Sequence, residues 1–247
     1  ERLQMINYKK AMVFGTRPSP LKRIKKFEEV ENSSNPKFCF HLIGGMDRGY
    51  FKLKDPSKLP KYFPKDFRLT VKDGWSDFAR KDNIDIEGMK KVYIEESLKV
   101  YEDVLNAINE WINEKTINGI SPTPRSFKYY LNFVGTKYKS ELEARITYNT
   151  VETYIHKLSN LGYLFHYTDP VEHYWNKTRE EFVKEREKDF MVPYAFIKGE
   201  EWNAFGEMDW GGISRNEKDP EVYYKEFWDA FNSLPNNTSI YVFNCFA

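Results

Sequence analysis

TYNTVETYIHKLSNLGYL, residues Thr147 to Leu164, is the stretch on which the fold reading turns. On a helical wheel Val151, Ile155 and Leu158 share one side, with Tyr154 and Leu161 beside them. Asn149, Thr153, His156 and Asn160 take the opposite side, flanked by Glu152 and Lys157. Asn149 and Glu152 have the spacing of a capping box, and Gly162 suits the left-handed position that ends a helix. Beyond Gly162 the period changes. Tyr163–Tyr167 and Val171–Trp175 are β-prone around the turn Thr168-Asp169-Pro170, so an amphipathic helix is expected to lead into a hairpin.

Working outward, a long helix is predicted from Glu87 to Asn118. Leu98, Tyr101, Leu105, Ile108 and Ile112 recur at three- and four-residue spacing, Val104 and Trp111 widen the stripe, and Asn118-Gly119 stops it. Thr123 then fits an N-cap and Pro124 the first helical position. Phe127, Tyr130, Leu131 and Val134 form a short apolar stripe closed by Gly135. In the linking segment Thr136–Ile146, Ser140-Glu141-Leu142-Glu143 has the form of a capping box and predicts a further helical turn or two.

The order of helix, short helix, amphipathic helix ending in Leu158-Ser159-Asn160-Leu161-Gly162, then hairpin, resembles the winged helix-turn-helix family. TVETYIHKLSNLGYL looks like its recognition helix. NEWINEKTINGISPTPRSFKYYL is similar to the first two helices of LexA-type repressor domains, which also place a Gly, a Pro-Thr element and an Arg between them. The resemblance covers roughly residues 100–175. Thr136–Ile146 departs from it, either as an insertion or because Ser140–Ile146 is the true second helix.

The resemblance implies a helix that enters the major groove of duplex DNA. The chemistry suits that role, because base edges there are read by side chains carrying donors and acceptors. Asn149, Thr153, His156 and Asn160 would face the bases, with Tyr148 and Thr150 completing the surface. Arg125, Lys128, Lys137, Lys139 and Lys157 would meet phosphates, and Ser126 would help turn backbone N–H groups toward one. The region Gly119–Asp169 carries 6 basic against 4 acidic residues, a mild excess for such a surface.

The flanks differ in charge. Residues 1–87 hold 19 Lys+Arg against 12 Asp+Glu, including the basic run Arg17–Lys26, whereas residues 171–247 hold 9 against 15. That asymmetry points to a polyanion on one side. Lys37–Leu53 reads as a hairpin and Phe67–Val71 as a strand. REEFVKEREK, residues 179–188, reads as a solvated helix. Pro220, capped by Asp219, opens another with Tyr223, Phe227, Phe231 and Leu234 as its stripe, and Ser239–Phe246 reads as a strand. Trp175, Trp202, Trp210 and Trp228 suggest one small aromatic core, or a surface for a protein partner.

Composition excludes several classes. With 40% apolar, 30% charged and 17% aromatic residues, the chain is that of a folded protein. No run approaches the ~20 apolar residues of a membrane helix, and Glu1–Lys10 lacks a leader-type apolar core. Two cysteines, Cys39 and Cys245, form neither a disulfide framework nor a CxxC metal site. No Walker loop, GxSxG elbow or HExxH is found. The His166 and His173 pair is read as two hairpin side chains, and Asp209-Trp210-Gly211-Gly212 as a turn.

The expectation is an α+β, mainly helical protein in three parts. A basic, β-containing region spans 1–86, the long helix and winged helix span 87–175, and an acidic aromatic-rich region spans 176–247. The expected function is duplex-DNA binding in regulating transcription or replication. It is not an enzyme, needs no cofactor or metal, sits in the cytoplasm and pairs as a homodimer if its site is two-fold. The rival classes are a protein-docking module and a metal-dependent nucleic-acid enzyme using a carboxylate such as Asp47, Asp66 or Asp73.

Overall fold

A computed structural model describes residues 8–15, 40–43, 49–58, 73–163, 169–198, 201–208 and 214–246. The basic run Arg17–Lys26, the expected strand Phe67–Val71, Asp47, Asp66, His166, Trp210 and the Asp209–Gly212 string lie outside them. The fold is α+β, with small, mainly antiparallel sheets. It divides into two compact units: residues 1–91 with 188–247, and residues 92–187. The three-part division is therefore corrected, because the two chain ends build one unit together.

The reason is a sheet. Strand β1 (Tyr8–Gly15) pairs antiparallel along its whole length with the last strand, Ser239–Phe246. Between them in sequence come β2 (Phe40–Ile43), β3 (Phe51–Lys52), β4 (Trp75–Ser76), β5 (Phe78–Arg80), β6 (Ala195–Lys198), β7 (Glu201–Ala204), β8 (Glu207–Met208) and β9 (Ser214–Arg215), which makes the last strand β10. The main sheet runs β2-β10-β1-β6-β7. β5 continues beside β10 where β2 leaves off, since Tyr241 faces Phe78 while Phe243 faces Ile43. β1 and β6 are parallel, with the second unit inserted in sequence between them.

The expected Lys37–Leu53 hairpin is replaced. β2 pairs with β10 and β3 with β4, because an eight-residue central strand satisfies more backbone groups than a local return can. Gly49 shows why the chain turns there. Its φ is +82° and a Cβ would stand 2.8 Å from the Ser76 backbone, so only glycine fits.

Among the described residues the α-helices are α1 (Ile86–Lys115), α2 (Phe127–Leu131), α3 (Glu141–Val151), α4 (Tyr154–Asn160), α5 (Arg179–Asp189) and α6 (Pro220–Asn232). In the first unit α6 starts as predicted, with the Asp219 carboxylate accepting from the Val222 N–H. Its Tyr223, Phe227 and Phe231 are buried, and Phe196 of β6 packs on Tyr223 and Phe227 at 5.9 and 5.8 Å between ring centroids. Trp228 belongs to this unit, but Trp175 packs in the second, so the single tryptophan-rich core is not formed.

The second unit has two apolar clusters. Val104, Ala107, Ile108 and Trp111 of α1 pack against Tyr154 and Leu158 of α4 and Val171. Tyr130, Tyr138, Ala144 and Tyr148 form the other. Ser140 caps α3 by accepting from the Glu143 N–H at 3.3 Å, and Glu143 returns to the Lys139 N–H at 2.6 Å. Ser140→Ala is expected to cost about 1 kcal/mol, read as a loss of hydrogen-exchange protection in the first turns of α3. Unchanged protection would remove the cap from the account.

Four helical expectations need correction. First, α2 begins at Phe127 with Ser126 as its N-cap, not at Pro124. Tertiary bonds hold the preceding residues extended: the Asp169 carboxylate accepts from the Phe127 N–H at 2.6 Å, and the Tyr154 hydroxyl donates to the Arg125 carbonyl at 3.3 Å. Second, the helix expected from Asn149 to Leu161 breaks at Glu152, whose φ and ψ are −87° and 63°. Third, Val151 and Leu161 are consequently exposed rather than in the core. Fourth, Val171–Trp175 is a one-turn π-helical segment and not a strand. Asp169 accepts from the Val171 and Glu172 N–H groups, and Pro170 adopts right-handed helical angles, so Asp-Pro works as a helix start.

Among the described residues no helix is long and apolar enough to cross a membrane.

Candidate nucleic-acid interface

The break at Glu152 organises the site. Thr147 and Thr150 send their hydroxyls back to the Glu143 and Ile146 carbonyls, and with Val151 and Thr153 they make a β-branched run that weakens helix propagation. Glu152 turns inward and is 1% exposed. Its Oε1 accepts from the Tyr130 hydroxyl at 2.7 Å, while Oε2 has no hydrogen-bond partner. Desolvation pushes its pKa above the ordinary glutamate value. The Tyr130 hydroxyl, then the Arg125 amide and guanidinium, oppose that rise, and Asp169 adds to it.

Beside it, the Tyr148 hydroxyl donates to Asp169 Oδ2 at 3.0 Å. Tyr130, Tyr148 and Tyr154 all have raised pKa values, chiefly from burial, so these phenols stay neutral donors. Tyr163, just after α4, is pushed up to about 12 by its hydrogen bond to Asp103.

Outside this polar core lies the surface expected to meet DNA. His156 and Asn160 of α4 are exposed, Thr153 is half-buried at its N-cap, and Arg125, Lys128, Lys137 and Lys139 are exposed. Ser126 is half-buried, Thr150 is exposed at the end of α3, and Asn149 is half-buried within α3. The His156 Nε2–H donates to the Asn149 carbonyl at 3.1 Å.

Two expected contacts are repositioned. Tyr148 is 3% exposed and serves the core, because ring burial and the bond to Asp169 outweigh any surface role. Lys157 reaches Glu114 at 2.7 Å and Glu110 at 3.3 Å, so two carboxylates already hold its ammonium. Those acids repel phosphate along that edge of α4. The α2 side is richer in cations: between Glu114 and Glu141 the chain carries Lys115, Arg125, Lys128, Lys137 and Lys139 with no acidic residue of its own, and the carboxylates that reach it, Glu143 and Asp169, accept from the Lys139 and Phe127 N–H groups.

Sequence reading missed an aromatic feature here. The Arg125 guanidinium lies over the Tyr129 ring at 4.3 Å and donates to its hydroxyl at 2.8 Å, and Tyr129 meets Phe133 edge-on at 5.2 Å. The spacing of four between these residues was the available signal. No group of three or more metal-ligating side chains occurs among the described residues, and His173 is exposed on its π-helical turn. Comparison with family models, curated proteins and solved structures returns no match to this chain.

Proposed function

We propose that residues 92–187 act as a winged-helix-type module that binds duplex DNA, in a protein regulating transcription or replication. The observation that carries this reading is the exposed polar face of α4 beside a cationic, acid-free stretch from Lys115 to Ser140. A helix with its side chains is about 10–12 Å across, which suits a major groove about 12 Å wide. His156 and Asn160 are the base-reading candidates, with Thr153 at the helix start. Arg125, Lys128, Lys137 and Lys139 supply phosphate contacts, with Ser126 beside them. Glu110 and Glu114 disfavour approach from the α1 side.

Fluorescence anisotropy of the full chain with blunt duplex DNA tests this. Four phosphate contacts predict an affinity loss on the order of a hundredfold between ~50 and ~200 mM salt. Lys128→Ala is expected to shrink that salt slope by about one contact, while Lys157→Ala leaves it unchanged. Binding that ignores both salt and Lys128 would overturn the proposal.

A second reading, a protein-docking module, is favoured by Leu142 and Ile146, one turn apart on α3 and 69% and 58% exposed. It predicts a defined protein complex lost in Ile146→Glu and no salt-dependent DNA affinity.

A further inference from the structure

We infer that Arg125, Tyr129 and Phe133 form a stacking ladder for unpaired nucleotide bases, so that the module holds DNA where the duplex gives way to single strand. This rests on the duplex-binding reading and deepens it. The three residues recur at intervals of four across α2 and its flanks, and they are linked by the Arg125–Tyr129 and Tyr129–Phe133 contacts at 4.3 and 5.2 Å. Phe133 is 36% exposed and Arg125 is exposed.

Phe133, two residues past the end of α2, stays partly open to solvent, and the exposed Arg125 guanidinium is held over the Tyr129 ring. Guanidinium and aromatic planes are the surfaces on which unstacked bases settle. Charge selects the occupant: Lys128 and Lys137 flank the ladder, both exposed, and the segment from Lys115 to Ser140 holds no carboxylate. That excess of cations suits a strand of phosphates with bases to stack, and it gives an uncharged apolar partner no added attraction; the carboxylates that reach this segment, Glu143 and Asp169, are engaged by the Lys139 and Phe127 N–H groups. Paired bases in a continuous duplex hide their faces, so the ladder has work only where strands separate.

The test measures anisotropy of the full chain with three probes: blunt duplex, the same duplex carrying an oligothymidylate tail, and oligothymidylate alone. Thymines stack weakly on each other and pay little to leave the strand. The tailed duplex is expected to bind about tenfold tighter than the blunt one. Phe133→Ala and Tyr129→Leu, neither of which removes a duplex contact, are each expected to remove most of that gain while blunt-duplex affinity changes little. Equal binding of blunt and tailed duplex, or a gain untouched by both variants, would overturn the ladder and leave the duplex reading standing. If none of the three probes binds, both readings fall.

Discussion

Asp169→Ala is expected to open the second unit by about 3–4 kcal/mol, the largest single effect foreseen in this protein. One carboxylate accepts four hydrogen bonds: Oδ2 from the Phe127 N–H and the Tyr148 hydroxyl, Oδ1 from the Val171 and Glu172 N–H groups. It ties the start of α2, the middle of α3 and the π-helical turn to one point. Hydrogen bonds to a charged acceptor are worth roughly 1.5–3 kcal/mol each. They are not additive, and the half-buried donors regain some water when the acceptor goes. Asp169→Asn keeps one carbonyl acceptor but sets an NH2 against N–H or O–H donors, so about half the loss is expected. Hydrogen exchange on the full chain separates the units. Protection over residues 127–160 should fall, and that of β10 in the other unit should hold. Unchanged protection over 127–160 would contradict the role given to Asp169.

The second large effect is at Glu152. Glu152→Ala leaves the Tyr130 hydroxyl without its acceptor and a void at the α3–α4 break, at a cost of about 2–4 kcal/mol. Glu152→Gln keeps the volume and removes the charge. Because the folded state raises this pKa above its ordinary value of 4.5, the native form holds its proton more tightly than the unfolded chain. The stabilisation is therefore complete below pH 4.5 and is lost as pH rises through the folded value. The stability difference between Glu152→Gln and the wild-type chain should move in favour of Gln as pH climbs from 4.5 to the raised folded value, and level off beyond it. Denaturant titrations of both proteins across this range would show it, and parallel curves would mean the carboxylate is not desolvated. Since Tyr130 donates to Glu152 from α2, the same titration bears on how firmly α2 and Tyr129 are held.

Several elements were legible from spacing alone. The stripe of α1, with Tyr101, Val104, Ile108 and Trp111 buried, follows from its three- and four-residue period. So do α6, with its Asp219 cap, the Ser140 cap of α3 and the terminal strand β10. Gly162 takes φ +87° just after α4, as a helix end requires. Exposure of the candidate residues was legible in part. His156, Asn160, Arg125, Lys128, Lys137 and Lys139 lie on the surface, where their polarity predicted them. Tyr148 and Lys157 were misplaced because each is claimed by a partner remote in sequence, Asp169 for one and the two glutamates of α1 for the other.

The sequence by itself determined the long helix α1, the capped starts of α3 and α6, the terminal strand and which segments carry spare charge, since these follow from local period, caps and composition. Only the tertiary structure decided that the chain ends share a sheet, that Glu152 is buried and breaks a helix, and that Asp-Pro starts a turn of helix rather than a wing strand. The physical reason is common to the first two, whereas the Asp-Pro start rests on Asp169 accepting from the nearby Val171 and Glu172 N–H groups. A buried hydrogen-bonding group takes the best partner the whole fold presents, and that partner stands tens or hundreds of residues away, beyond the reach of any local pattern.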